Sequence, residues 1–394
     1  MPWMGKAQQI RRQNMKVNVV AGKLFAMLRV DGMRCCVLKG QGNALMYPNP
    51  YSRTPGDIDV WIDASRERIM EYAQKKFELG DDIRLQHLET SLDGVPVELH
   101  FFPCSMNNPI YHARLQKWFR RNADLQCSNV VSLPDGAGDI AIPTTAFNVI
   151  YQLTHLYHHF FDEGIGMRQI IDYFLVVNDF SKNVFLDYDF SNHPVPLSKE
   201  GSTFSPSPSQ WSLHPLRFPR FRGTETSGSG DVTAPSRCSE PLRSKDGGAS
   251  KPSPDCAGWD RRGVSGDTSS AFTTDSSAST ALVVVQRELK YLGLWKFAGA
   301  VMYVLKEVLG LAEDKMIVPM DEKRGRLLLA EILDGGNFGR HFTKYAGFTH
   351  QSMGKKYFLK IWRNMHFVRY YPAEALSEPI FRTWHFFWRV KNKK

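Results

Sequence analysis

The chain has 394 residues with 42% hydrophobic and 12% aromatic side chains, enough for two domains with real cores and too apolar for a wholly disordered chain. Its formal charge of +10 suits an anionic partner (nucleotide, nucleic acid or a membrane surface) without choosing among them. The six cysteines form no C-x-x-C pair and no His/Cys zinc spacing, so they read as reduced thiols of a cytoplasmic protein, and no run of 18 apolar residues announces a membrane span.

Residues 1–15 carry basic side chains but no apolar core with a small-residue cleavage site, so no secretory signal is expected. Val17, Val20, Leu24 and Leu28 recur at helical spacing, and Asp31-Gly32 should end that helix. Residues 34–38 read as a short apolar strand in which Cys35 and Cys36 are packing residues. It runs into Lys39-Gly40-Gln41-Gly42, where backbone amides could approach a phosphate and a helix starting near 43–47 would add partial positive charge. The Gly-Lys-Ser/Thr ending of a Walker loop is missing. Lys39, and Arg53 by a bidentate grip, could neutralise triphosphate charge.

In residues 57–62, period-2 alternation sets Ile58, Val60 and Ile62 against Asp57, Asp59 and Trp61. The acidic face is expected to open to solvent. Residues 66–77 read as a helix with Ile69, Tyr72, Ala73 and Phe77 on its buried side. A short strand over 84–89, the turn Asp93-Gly94 and a strand over 96–102 suggest a hairpin. The second strand sets Val97, Leu99 and Phe101 against Glu98, His100 and Phe102. If the two acidic strands pair, Asp57, Asp59 and Glu98 converge. Such oxygens suit Mg²⁺, which takes one or two carboxylates plus substrate phosphates. Two such ions could clamp an in-line displacement, and the third carboxylate could draw the proton from an attacking hydroxyl. A bare Asp-x-Asp is more often a solvated outer face; the glycine turn before it and the acidic strand after it favour the metal reading.

The run Leu38-Lys39-Gly40 … Tyr47-Pro48 … Arg53 … Asp57-Ile58-Asp59, then Val97-Glu98-Leu99-His100, resembles the bacterial "uncharacterised nucleotidyltransferase" family of the DNA-polymerase-β-like nucleotidyltransferase superfamily. The likeness continues through His155-Leu156-Tyr157-His158-His159 and residues 164–172, covering roughly 15–180 and, more weakly, 284–390. The resemblance implies a small α+β core with a mixed β-sheet and flanking helices, Asp57, Asp59 and Glu98 as metal ligands, and Gly40 against the triphosphate. The superfamily's usual Gly-Ser or Gly-Gly is replaced by Gly40-Gln41, which removes a serine hydroxyl from that contact.

From residue 143 the pattern turns helical, with Thr144 or Thr145 capping 146–161. His155 and His159 share a face at i, i+4, but the glutamate of His-Glu-x-x-His is absent. They read as packing or capping histidines at a seam, with a nucleotide contact as the alternative. Arg168 and Asp172 read as an intrahelical pair or a brace toward the cleft. Residues 181–283 are rich in Ser, Pro, Gly and Thr and read as a disordered insertion, either acquired from elsewhere or a regulatory linker. A helix is expected over 284–308 and another over 324–333. Residues 292–311 come closest to a membrane span, but Lys296, Lys306 and Glu307 make them a core helix. Residues 357–394 interleave aromatics with Lys and Arg, which suits core packing with a basic outer face, or peripheral membrane contact.

The expected organisation is a catalytic domain over 1–140, a helical domain over 141–180 and 284–394, and the insertion between them. The expected function is Mg²⁺-dependent (or Mn²⁺-dependent) transfer of an NMP group from an NTP to a hydroxyl-bearing acceptor, with Lys39, Gly40, Gly42 and Arg53 on the nucleotide. A nucleotide-binding protein without turnover is the alternative. An RNA-modifying transferase ranks last, for want of an RNA-binding motif.

Overall fold

Helix α1 (Pro2–Val30) opens the chain in the computed structural model, which describes residues 2–79, 84–183, 274–335 and 353–392. It starts earlier than the apolar spacing suggested, because its first turns are exposed and, apart from the buried Asn14, its buried side begins at Val17. Strand β1 (Cys35–Val37) follows, then the one-turn helix α2 (Gln41–Ala44) and strand β2 (Ile58–Ile62). Helix α3 (Arg66–Lys76) is capped by the Ser65 hydroxyl, which accepts from the Arg68 N–H. Strands β3 (His87–Leu92) and β4 (Val95–His100) form a hairpin. Its turn residues Asp93 and Gly94 both have positive φ, the backbone that suits the twist of a two-residue connection. The first hairpin strand begins at His87 rather than at residue 84 and runs through to the turn.

The sheet order is β1-β2-β4-β3, with β2 and β4 parallel and both outer pairs antiparallel. Register places Asp59 beside Glu98 and His87 opposite His100. On one face Ile58, Val60, Ile62, Val97 and Leu99 pack against Leu24 and Leu28 of α1 and Ile69 and Ala73 of α3. The other face is covered by helix α4 (Pro109–Ser128) and helix α5 (Thr145–Asp162), between which the strands β5 (Val130–Ser132) and β6 (Asp139–Ala141) pair. This corrects the expectation of a solvent-open acidic face: Trp61 is buried and stacks on Phe147 at 6.2 Å, and Phe147 in turn stacks on Trp118 at 4.6 Å. An indole of that size favours burial, and α4 and α5 supply an aromatic wall for it.

Helix α6 (Met167–Asn183) packs on α5. The chain resumes with α7 (Thr274–Tyr291), so the outer edges of the expected insertion, 181–183 and 274–283, are helical. Ala281 at its apolar end is fully buried in the helical core. The remainder of the expected disordered insertion lies outside the described residues. Helix α8 (Trp295–Leu309) is separate from α7, where one helix over 284–308 was expected. The break is at Gly293, whose φ of +74° stops the helix while the Leu294 N–H reaches back to Leu289 O at 2.8 Å. A Cβ there would also meet the Tyr111 ring at 2.6 Å. Helix α9 (Glu322–Gly335) lies against α8, with Gly325 seated on the Tyr303 ring.

Helices α10 (Met353–Met365) and α11 (Pro372–Asn392) dock back on the ends of earlier helices. Arg363 and Asn364 donate to Phe160 O and Phe161 O, satisfying carbonyls of the last turn of α5. The buried Glu374 accepts the backbone N–H of Asn107 and Asn108 at 2.5 and 3.1 Å, at the start of α4. Phe367 and Tyr371 join the core, as the packing reading expected, but Phe358, Trp362, Trp384 and Phe387 do not and stay exposed. Among the described residues no helix is long and apolar enough to cross a membrane, and Cys35, Cys36, Cys104 and Cys127 are free thiols.

Candidate metal and nucleotide site

The helical wall and the acidic sheet face enclose a cavity of about 290 Å³ lined by Lys39, Gly40, Asp57, Asp59, Glu98 and His100, and by Gln152, His155 and His159 of α5. Asp57 immediately precedes β2 and is exposed at the cavity mouth; Asp59 is buried within β2. Carboxylate oxygens of Asp57, Asp59 and Glu98 all lie within 4.8 Å of one another, so these three acids are positioned to hold a metal ion. The strand pairing expected from the alternation is the direct cause, because parallel β2 and β4 bring residues 59 and 98 side by side.

Two cations balance this charge. Lys39 Nζ lies 3.1 Å from Asp59 Oδ1 and 3.1 Å from His155 Nε2. His100 Nε2 lies 3.1 Å from both Asp59 Oδ1 and Glu98 Oε2. Burial alone would strip the proton from His100, but its hydrogen bonds to Asp59 and Glu98 outweigh that and raise it to about 9. Burial would raise Asp59, yet Lys39 and then His100 hold it well below the usual carboxylate range. Crowding in the cavity and then the charge of Asp59 push Asp57 up to about 6. Acids of one cluster therefore split into an always-ionised centre and a titratable mouth.

Burial, followed by the neighbouring charges of Lys39 and His159, holds His155 neutral, so its Nε2 can accept from Lys39. His159 Nε2 stands 3.1 Å further along. Neither packing alone nor a metal pair describes these histidines: they form the helical wall behind Lys39. Below the turn, Asn43 and Gln152 exchange two amide hydrogen bonds of 3.0 and 2.7 Å, tying α2 to α5. Gly40 itself has φ +58° and ψ −106°, a backbone that a side chain would strain.

Arg53 lines the cavity with its bidentate grip already engaged, and Gly42 lies outside the cavity lining. The bidentate grip of Arg53 is taken by Asp172, through Nε to Oδ1 at 3.0 Å and Nη2 to Oδ2 at 2.8 Å, and the Tyr47 hydroxyl donates to the same carboxylate at 2.7 Å. Asp172 therefore braces α6 against the loop before β2 rather than pairing with Arg168 within the helix. Nη1 of Arg53 is buried without a hydrogen-bond partner, and the residue still lines the cavity. Gly42 faces away: a Cβ there would meet Ile142 Cγ2 at 2.9 Å, so its small size serves packing.

His87, His100 and Gln152 were not singled out from sequence. The signal for two of them was present. A two-residue turn at 93–94 pairs residue 92 with 95, and counting back along the hairpin sets 87 opposite 100 on the face of Glu98.

A model of the family described as "Uncharacterised nucleotidyltransferase" matches residues 1–191, which hold the sheet, the acidic cluster and helices α1 to α6. No curated protein and no solved structure matches the chain.

Proposed function

We propose that residues 1–191, a member of the uncharacterised nucleotidyltransferase family, catalyse Mg²⁺-dependent transfer of an NMP group from an NTP to a hydroxyl-bearing acceptor, with release of pyrophosphate. The observation that carries this reading is the set of three carboxylates gathered beside Lys39 and the positive-φ Gly40 turn in one cavity. An all-oxygen donor set fits Mg²⁺ or Mn²⁺. When bound there, the ion would supply Lewis-acid stabilisation of charge on the reacting phosphate and the departing pyrophosphate.

The chain's own residues have separable roles. Asp57 and Asp59 hold the metal, and Glu98 completes the set and takes the proton of the acceptor hydroxyl. Lys39 reaches the cavity from the end of β1 and offers its ammonium to the triphosphate. Gly40 lets the backbone approach a phosphate without a side chain between. Arg53, fixed by Asp172, offers Nη1 as its remaining donor. The helical wall narrows the cavity and selects the acceptor. A reducing, cytoplasmic setting accords with the free thiols.

Calorimetry with ATP, GTP, CTP and UTP in Mg²⁺ or Mn²⁺ tests the reading. Metal-dependent binding that vanishes in an Asp57→Ala, Asp59→Ala double variant is expected, and it names the base. No binding to folded wild-type protein would remove the enzyme reading.

A peripheral membrane contact is a separate proposal, supported by the outer faces of α10 and α11. Phe358 is 70% exposed, Ile380 74% and Phe387 65%, with Arg369 and Lys391 exposed nearby. Leu376, Ile380, Trp384 and Phe387 recur at helical spacing on one stripe, the arrangement of an interfacial helix. Co-sedimentation with anionic vesicles is expected to fall when Trp384 and Phe387 become serine; equal pelleting of the two proteins would remove the proposal.

A further inference from the structure

Beside the all-oxygen cluster, the β3–β4 hairpin builds a second and chemically different donor set. His87 and His100 are direct cross-strand partners, and Glu98 shares the face of His100 two residues earlier. Glu98 Oε2 lies 3.1 Å from His100 Nε2 and 3.4 Å from His87 Nδ1, and one ligand atom from each of the three residues falls within 4.8 Å of the others. Ligands held at about 2.0–2.2 Å around a tetrahedral ion stand roughly 3.3–3.5 Å apart, so two of the three edges are already close to that spacing.

The second observation is His87 itself. It is 9% exposed, yet neither ring nitrogen has a hydrogen-bond partner; Glu98 approaches Nδ1 without bonding it, and Glu89 stands 3.8 Å from Nε2. Buried imidazole nitrogens are ordinarily satisfied, and an orphaned pair asks for an ion or another ligand. The ring lines both the cavity that holds the carboxylates and an adjoining one of about 400 Å³ bounded by Lys360, Phe381 and Arg382. A group bound at His87 would face open space where a water or a substrate oxygen could complete its coordination. Gln86, whose Nε2 donates to Pro103 O at 3.0 Å and stands 3.4 Å from His100 Nδ1, packs against the ring on the side away from Glu98.

We propose that His87, Glu98 and His100 form a binding site for a zinc-class divalent transition ion, distinct from the Asp57–Asp59–Glu98 cluster and joined to it through Glu98. Two imidazoles and one carboxylate select borderline ions over Mg²⁺, whereas the neighbouring all-oxygen set does the reverse. Binding releases to solvent the proton that His100 Nε2 otherwise shares with Asp59 Oδ1 and Glu98 Oε2, each at 3.1 Å, and leaves Asp59 to the oxygen cluster. The site stands on its own geometry and does not require nucleotidyl transfer.

The test uses full-length protein freed of metal by a chelator and titrated with Co²⁺ in a large excess of Mg²⁺, without nucleotide. One equivalent of Co²⁺ should bind with the strong visible absorption of low coordination number. His87→Ala and His87→Gln should weaken that binding by about 100-fold or more, by the loss of a ligand where even outer partners are worth 10–100-fold. Asp57→Asn should keep it. Paramagnetic proton NMR of the wild-type Co²⁺ protein should show two hyperfine-shifted imidazole N–H signals, a readout that needs no variant to fold. Displacement of Co²⁺ by Mg²⁺, wild-type affinity in a folded His87 variant, or no shifted imidazole signals would each overturn the site. NTP calorimetry on the same protein is read separately, so failure here leaves the transferase reading untouched, and the converse.

Discussion

Asp59→Asn should lower metal-dependent NTP binding and any pyrophosphate release by about 10²–10³-fold, the effect of several kcal/mol of lost charge stabilisation at tenfold per 1.36 kcal/mol. The position is severe for three physical reasons. Asp59 lies on β2, paired on both sides, so its carboxylate cannot drift to recover a lost contact. It is 4% exposed and is kept ionised by Lys39 and His100 against the cost of burial. It is also the acid that touches both cations, at 3.1 Å each. Asparagine preserves volume and one acceptor oxygen but surrenders the charge that a divalent ion needs. Nucleotide calorimetry and a coupled pyrophosphate assay read the change. Undiminished metal-dependent binding in a variant with a native melting transition would mean that Asp59 serves the fold alone.

Asp172→Ala should destabilise the protein by about 3–5 kcal/mol, the usual result of leaving one partner of a buried pair without the other. Arg53 and Asp172 are 6% and 8% exposed in their side chains and meet through two parallel hydrogen bonds. Alanine also strips the Tyr47 hydroxyl of its acceptor. The pair joins the loop before β2 to α6, so its loss frees the segment that leads into Asp57 and Asp59. Asp172→Asn, which keeps the side-chain volume and one of the two acceptor oxygens, should cost less. An Arg53→Met, Asp172→Leu double variant should recover much of the loss, since an apolar pair of like volume replaces buried ions at little cost. Urea denaturation at neutral pH measures all three. A loss below about 1 kcal/mol for Asp172→Ala would show the pair behaving as an exposed surface bridge.

Much of the sheet-bearing half was legible because period-2 alternation and turn chemistry act locally. Ile58, Val60 and Ile62 declared one buried face, Asp93-Gly94 declared the hairpin, and Asp59 beside Glu98 follows once the strands pair. What failed depended on distant residues. Nothing near Trp61 announces that α4 and α5 will cover it, and nothing near Arg53 announces a carboxylate 119 residues on at Asp172. Gly42 was read as a phosphate turn because its neighbour Ile142 is a hundred positions away in the chain. The break at Gly293 was misread for a different reason: a glycine inside an apolar helical pattern is tolerated or terminal depending on what packs there, and here Tyr111 decides it. His87 and His100 were within reach of the register argument, but His87 lay in no motif and His100 was read only as part of the Val97-Glu98-Leu99-His100 strand, without a role.

Asp57, Asp59 and Glu98 are proposed to hold a divalent ion against a triphosphate. A crystal soaked with Mn²⁺ and a non-hydrolysable NTP analogue tests it most directly through anomalous scattering. An anomalous peak bounded by these three carboxylates is expected, with triphosphate oxygens on its open side toward Lys39 and Gly40. Bound nucleotide with no metal at the carboxylates, or Mn²⁺ and nucleotide seated elsewhere on the chain, would contradict it.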